Sequence, residues 1–113
     1  MSDVLFHVGG YEDFSLTLQT NDGGVISADD VSAASAIAVS VITRDNPSTE
    51  IVSVAADSGF TGADWANGLV TGAFLSADTT GITSYGWHDV EVSVTIAGNV
   101  TYYRFDKAVK IVD

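Results

Sequence analysis

The sequence predicts an all-β sandwich built as a single domain. Apolar and polar residues alternate along several short stretches, clusters of Gly, Asn and Asp separate these stretches, and helix signals are weak. About seven strands are expected at the spacing typical of a sandwich, with at most one or two short helical turns. The 113 residues fit one domain, 1–113, and a chain of this size can bury roughly 65% of its unfolded surface around one core.

The clearest strand covers residues 89–96, where polar and apolar residues alternate without interruption. Four side chains are expected to face the core, namely those of Val90, Val92, Val94 and Ile96. The residues between them would face solvent. The strand ends at Ala97–Gly98–Asn99, a short glycine-containing loop that is typical of a hairpin. We therefore expect an antiparallel return strand over 100–105 and a further strand over 108–112.

The first half of the chain repeats this pattern with shorter strands. Strands are predicted over 14–19, 37–43, 51–55 and 69–75. The segment 4–8 forms either a first strand or part of an extended N-terminal arm, 1–10. Turns are expected at 21–24 and 45–48, which are rich in the residues that tight turns favour. Short helical turns are predicted at 27–30 and at 61–68, where Gly68 would end the helix.

The charge and the residue types exclude several classes of function. The chain has 15 acidic and 4 basic residues, a net charge of −11, and no Cys. Such a charge disfavours binding to nucleic acid and to anionic membranes, because both are negatively charged. The absence of Cys excludes disulfides, thiolate nucleophiles and Cys-ligated metal sites. No apolar run approaches the length of about 20 residues that spans a bilayer, and the start lacks a basic signal-peptide region.

No catalytic residues are predicted. His88 and Asp89 are adjacent, so on a strand their side chains point to opposite faces unless a bulge intervenes. We expect His88 at the surface or at the rim of the sandwich. Asp89 and Glu91 share a face, but an open, solvated face gives neither carboxyl group the raised pKa that acid catalysis needs. The Gly-x-Ser-x-Gly motif of serine hydrolases is absent.

Calcium is the one metal whose oxygen ligands the sequence offers. Asp29 and Asp30, or Asp22 with nearby carbonyl groups, could supply them, although no EF-hand motif is present. Turn-forming Asp residues that bond to their own backbone explain the same positions, and this interpretation is favoured. We therefore predict no metal and no cofactor.

Exposed aromatic residues are the better candidates for a functional surface. Alternation places Tyr85, Trp87 and Tyr102 on the polar face, where they could contact a protein partner, stack on a sugar or close the rim of the core. The basic residues Arg104, Lys107 and Lys110 gather near the same hairpin. They would either attract an acidic partner or form local salt bridges with Asp89, Glu91 or Asp106, and the local pairing is favoured.

The second half of the chain resembles a known family. It reads Gly-Leu-Val-Thr-Gly-Ala-Phe-Leu over 68–75, Ser-Ala-Asp-Thr-Thr over 76–80, Tyr-Gly-Trp-His-Asp-Val-Glu-Val-Ser-Val over 85–94 and Tyr-Tyr-Arg-Phe-Asp-Lys over 102–107. This order is similar to immunoglobulin-like β-sandwich domains in virions of tailed bacteriophages, above all the N-terminal domain of upper baseplate proteins. Unlike those proteins, which continue into long C-terminal regions, this chain stops at Asp113.

The resemblance implies an antiparallel immunoglobulin-like sandwich that is a structural subunit located in the virion. It would be a capsid decoration, neck or tail accessory protein, with no enzymatic activity. Its partners would be other virion proteins and further copies of itself, and neither nucleic acid nor a membrane. The expected contact residues are Trp87, Tyr85, Tyr102, Phe6 and Arg104. The alternative is a module that binds a carbohydrate or a receptor.

Overall fold

The computed structural model describes residues 4–45 and 48–112, with no side-chain placement for residues 4 and 5. This part of the chain is mostly β-structure, with one short helix and one 3-10 turn at Trp65–Asn67. The elements are β1 (Val4–His7), β2 (Glu12–Thr17), β3 (Gln19–Asp22), β4 (Val25–Ala28), β5 (Ala36–Ile42), β6 (Glu50–Ala55), β7 (Leu69–Phe74), α1 (Ser76–Thr79), β8 (Gly86–Ile96) and β9 (Asn99–Val112). No helix among the described residues is long and apolar enough to cross a membrane.

The strands form two facing layers, so the prediction of an all-β, sandwich-like fold is confirmed. One sheet has the order β1-β9-β8-β5-β6, and β2 pairs with β7 in the opposite layer. β3 and β4 form a separate two-stranded hairpin. The sheet is not wholly antiparallel as predicted, because β1 runs parallel to β9, with Val4 paired with Val109 and His7 with Val112. The segment 4–7 is therefore a first strand; residues 1–3 of the predicted arm lie outside the described residues.

The core lies between the two layers and contains the alternating residues that the sequence pattern placed inside. Val39 of β5 and Val92 of β8 are fully buried, as is Val70 of β7 on the facing layer. The rings of Phe6 and Phe74 join the two layers, with centroids 5.2 Å apart in an edge-to-face arrangement. The β-branched side chains of β5 and β8 therefore lie on the inward faces that their alternation with polar residues predicted.

Gly72 interrupts the predicted strand over 69–75, and the structure explains why glycine stands there. A Cβ atom at this position would lie 2.5 Å from the Phe14 ring. Phe14 and Gly72 are directly paired across β2 and β7. The missing side chain therefore leaves room for the Phe14 ring.

Two strand predictions in the first half are wrong in detail. The strand predicted over 14–19 is divided at Leu18, which is fully buried and donates its N–H to the Gly68 carbonyl oxygen at 2.8 Å. The residues after it leave the core layer and pair with β4. The helical turn predicted at 27–30 is instead the end of β4 and the loop after it. The sequence did not predict β4 because its residues, Val-Ile-Ser-Ala, do not alternate between apolar and polar types; in the structure all four side chains are exposed.

The positions of the turns agree better with the predictions than the strands of the first half do. The loop Ala97–Gly98 joins β8 and β9 with both residues in the left-handed region, at φ 51° and 81°, which is typical of a type I′ hairpin. The 3-10 turn ends at Gly68, which has φ 75°, as predicted. β5 and β6 form the hairpin expected around 45–48, although Asn46 and Pro47 lie outside the described residues. The strands predicted over 100–105 and 108–112 form one long strand, β9, that contains a bulge.

Candidate contact surface and its ion cluster

The bulge in β9 lies opposite Asp89. Val90 pairs with Phe105 and His88 with Val109, so the three residues 106–108 face Asp89 alone. Lys107 in the bulge has a φ of 49°, an uncommon value for a residue other than glycine. This backbone conformation directs the Lys107 N–H to the Asp89 Oδ1 atom at 2.9 Å. The strained backbone is therefore fixed by the carboxylate beside it.

Two arginines complete the surroundings of this carboxylate. Arg44 Nη1 bonds to Asp89 Oδ1, and Arg104 donates from Nη2 at 2.7 Å and from Nε at 3.0 Å to Oδ2. Arg104 also donates from Nη1 to Ser48 Oγ at 3.2 Å. Because Arg44 and Ser48 belong to the β5–β6 connection, the cluster holds that connection against β8 and β9. We call Asp89, Arg44 and Arg104 the ion cluster.

The ion cluster keeps Asp89 ionised although its side chain is only 3% exposed. Burial by itself raises the pKa of Asp89. The Lys107 N–H bond and the two guanidinium groups outweigh this effect and lower the pKa below its usual value. The bond to Asp89 in turn raises the pKa of Arg104. The cluster therefore consists of one carboxylate and two guanidinium groups, all charged at neutral pH.

Two predictions about this region are wrong. Asp89 was expected on an open, solvated face; it points to that face, but the side chains of Arg44 and Arg104 cover it. His88 was expected at the surface or rim and is only 4% exposed. It shares the inward face of Val90, because the bulge lies in β9 and leaves the alternation of β8 intact. The favoured local pairing of Arg104 is confirmed.

His88 forms hydrogen bonds only to nearby residues of its own chain segment. Its Nδ1 atom lies 2.9 Å from the Gly86 carbonyl oxygen, and its Nε2 atom lies 2.9 Å from Ser84 Oγ. Since a carbonyl oxygen only accepts, Nδ1 donates to Gly86, and Nε2 and the Ser84 hydroxyl form the second bond. Asp89 bonds to the arginines and to Lys107 instead. Ser84, His88 and Asp89 therefore do not form a triad.

The predicted aromatic contact residues are exposed, but they occupy two separate places. Trp87 is 37% exposed and Tyr85, two residues earlier, is 54% exposed. The Lys110 Nζ atom lies 5.9 Å from the centroid of the Trp87 ring, within the range of a cation–π contact. Tyr102 is 65% exposed but pairs with Ser93, six residues after Trp87 on β8, which is roughly 20 Å at the usual strand rise. We call Tyr85, Trp87 and Lys110 the aromatic site.

The other two predicted contact residues are engaged inside the chain. Phe6 is 1% exposed and packs on Phe74, so its side chain belongs to the core. The Arg104 guanidinium is bound to Asp89. Arg44, which the sequence analysis did not select, also binds Asp89 in the ion cluster. No local pattern could identify it, because 45 residues separate it from Asp89.

The candidate calcium ligands have partners of their own. Asp29 accepts hydrogen bonds from Thr20 Oγ1 and, at 2.7 Å, from the Tyr103 hydroxyl. Burial, helped by this bond, raises the pKa of Tyr103 to about 12. Asp30 accepts bonds from the N–H and hydroxyl of Ser32, the turn chemistry that the sequence favoured. Within residues 4–45 and 48–112, no three His, Asp or Glu side chains converge so that they could hold a metal ion.

Comparisons with known proteins leave the geometry as the main guide to function. The chain matches no protein-family model, and a search of curated proteins finds no match. A function can therefore be inferred from the surfaces described above and from the sequence pattern of residues 68–107.

Proposed function

We propose that this protein is a non-enzymatic structural subunit of a tailed-phage virion and that it acts through contacts with other virion proteins. The observation that carries the proposal is the aromatic site. Trp87 is held in place on a regular strand by Lys110 and still exposes more than a third of its surface. Tryptophan and tyrosine in such positions are the side chains that contribute most to protein–protein binding.

The arrangement of the strands supports an immunoglobulin-like assignment. In that fold, the last two strands pair with each other and with a strand from the middle of the chain, and the other sheet contains an antiparallel pair of strands that are not consecutive. The order β9-β8-β5, with β2–β7 in the other layer, is similar to this arrangement. The sequence pattern that resembles phage sandwich domains includes β8 and β9, which are the strands that carry Trp87 and Lys110.

The chemistry of the aromatic site indicates the kind of partner. Its centre is the apolar Trp87 ring, and its charged member is the ammonium group of Lys110. Lys107 is exposed on the same strand. A partner that presents an apolar side chain surrounded by carboxylates fits this combination, because the two lysines attract acidic groups to this part of a chain whose net charge is −11.

Particle incorporation tests the proposal. Phage particles from the source of this chain are purified on density gradients, and the chain is quantified by mass spectrometry against the major capsid protein. We expect a fixed copy number in wild-type particles and a loss of at least about tenfold with Trp87→Ser, since truncation of a central aromatic commonly costs 2 kcal/mol or more. Tyr11→Ser is the matched control, because Tyr11 is 53% exposed and lies outside the aromatic site.

Two results would contradict the proposal. One is absence of the chain from purified particles. The other is full incorporation of a Trp87→Ser variant that folds normally by circular dichroism.

Carbohydrate binding is the second candidate, and the same tryptophan favours it. An exposed indole beside a tyrosine is a suitable platform for stacking on a sugar ring. Glycan-array binding that Trp87→Ala abolishes and Tyr11→Ala preserves would favour this function. No binding at millimolar sugar would count against it.

A further inference from the structure

The larger sheet has a long edge that no described strand covers. β9 contacts β8 along most of its length, but β1 pairs only with residues 109–112. The other side of Asn99–Asp106 has no neighbouring strand within residues 4–45 and 48–112. We call Asn99–Asp106 the free edge.

The hairpin register determines which backbone groups the free edge presents. Ile96 and Asn99 close the two-residue loop and form a hydrogen-bonded pair, and such pairs alternate along antiparallel strands. Val100, Tyr102 and Arg104 therefore turn their N–H and C=O groups away from β8. These six groups form a regular row of donors and acceptors that can accept another strand.

The free edge has few of the features that usually prevent strand addition. It contains no Pro and no Lys, and it is rich in β-branched and aromatic residues. Its two charged residues are Arg104, whose guanidinium is bound to Asp89, and Asp106, where the regular part of the edge ends at the bulge. The opposite edge of the sheet is different. There β6 begins with Glu50, and α1 packs against it.

The charge distribution makes the free edge the place where two copies of this chain can approach each other. The hairpin β8–β9 carries three acidic residues (Asp89, Glu91, Asp106) and three basic residues (Arg104, Lys107, Lys110), so its net charge is zero. The rest of the chain carries the other 12 acidic residues and one basic residue, which gives −11. Two copies therefore repel each other at most orientations, and the neutral hairpin is where they can meet at the lowest electrostatic cost.

We propose that two copies pair antiparallel through their free edges and form one continuous sheet across a two-fold axis. The axis passes beside Tyr102, which then lies opposite Tyr102 of the second copy, while Val100 lies opposite Arg104. All three positions present outward backbone groups, so each facing pair exchanges two N–H···O bonds. The contact is small and therefore weak, and salt strengthens it by screening the repulsion between the acidic bodies. The proposal stands independently of the aromatic site and of the virion assignment.

Sedimentation equilibrium of the purified chain is the first test. We expect a concentration-dependent dimer that becomes tighter as NaCl rises from about 20 to 300 mM, as screening predicts. Tyr102→Pro removes an N–H that β8 does not use, so the monomer keeps its hydrogen bonds while the new pairing is blocked. Tyr102→Thr is the control, because it keeps the N–H and favours a strand. A monomer at millimolar concentration and high salt, or a dimer that Tyr102→Pro leaves intact, overturns the proposal.

Cross-linking gives a second test that does not depend on the folding of the proline variant. The chain has no Cys, so one introduced thiol is unique. Tyr102→Cys places two thiols opposite each other at about 5.5 Å between Cα atoms, within reach of a disulfide. In Val100→Cys the two thiols lie about 13 Å apart across the axis, at the usual strand rise. We expect rapid disulfide dimers with Tyr102→Cys only. Equal rates for the two variants would mean random collision and would contradict the register.

Discussion

At the scale of single residues, Asp89 shows how one carboxylate can organise three segments. It accepts bonds from Arg44 of the β5–β6 connection, from Arg104 of β9 and from the Lys107 backbone. A buried charge is tolerated only when it is paired and hydrogen-bonded, and here every bond comes from a charged group or from a backbone held by the bulge. The ion cluster therefore fixes the positions of the β5–β6 connection and the β9 bulge, and it also adds stability.

Asp89→Asn is expected to lower the free energy of unfolding at pH 7 by about 2 kcal/mol, because hydrogen bonds to a charged acceptor become weaker neutral ones. The pKa of Asp89 is lower in the folded chain than the unfolded value of 3.8. Its contribution is therefore complete above that pH and is lost as the pH falls through the folded pKa. Urea denaturation of both proteins between pH 7 and pH 2.5 measures the difference.

The difference between wild type and Asp89→Asn should shrink below pH 3.8. Asp106→Asn is the matched control, since that side chain is 78% exposed and should change stability little at any pH. A difference that stays constant across this pH range would contradict the assigned role of the charge.

At the scale of elements, the hairpin β3–β4 depends on a few polar contacts. All eight of its strand residues are exposed, and an isolated two-stranded hairpin is only marginally stable in water. Asp29, directly after β4, joins it to the body by accepting bonds from Thr20 of β3 and from Tyr103 of β9. This three-residue network is what ties the hairpin to the large sheet.

Tyr103→Phe should loosen this hairpin without unfolding the sandwich. The change removes one hydroxyl bond to a carboxylate and should cost about 1.5–2 kcal/mol. Hydrogen exchange should become faster for the amides of 19–28 and change little for those of β8. Tyr102→Phe, one residue earlier and exposed, is the control and should leave both regions unchanged. Equal acceleration throughout the chain would show that Tyr103 supports the whole fold instead.

The elements that the sequence predicted well are those whose side chains alternate between core and solvent. β8 is the clearest case, since Val90, Val92 and Val94 are all buried as expected. Alternation did not predict β4, because that strand has no buried face. It also did not predict the burial of Asp89, because the covering side chain of Arg44 is distant in the sequence. Exposure of the aromatic site followed from the same alternation, whereas the ion cluster required contacts that no local window contains.

At the scale of the whole molecule, the ion cluster changes the balance of charge at the surface. It uses two of the four basic residues and one of the 15 acidic residues. Outside the cluster, the chain has 14 acidic residues against two lysines. These like charges repel one another, and the repulsion favours the expanded, unfolded chain at low ionic strength.

Added salt should therefore stabilise the protein. We expect the melting temperature to rise by a few degrees between about 10 and 200 mM NaCl, because the screening length falls from roughly 30 Å to under 10 Å. Differential scanning calorimetry at low protein concentration measures the change. The double variant Asp22→Asn/Glu50→Gln should melt higher at low salt and respond less to salt. A melting temperature that is independent of salt in both proteins would contradict the repulsion.

The parallel pairing of β1 with β9 also sets the order in which the chain can fold during synthesis. Residues 4–7 find their sheet partner only in residues 109–112, so β1 cannot pair until β9 has been synthesised. Meanwhile the hairpin β8–β9 can form quickly around its two-residue loop, since its pairing is local. Until β1 joins this hairpin, Phe6 is not held in the larger sheet, and the nascent chain exposes an aromatic side chain that belongs in the core.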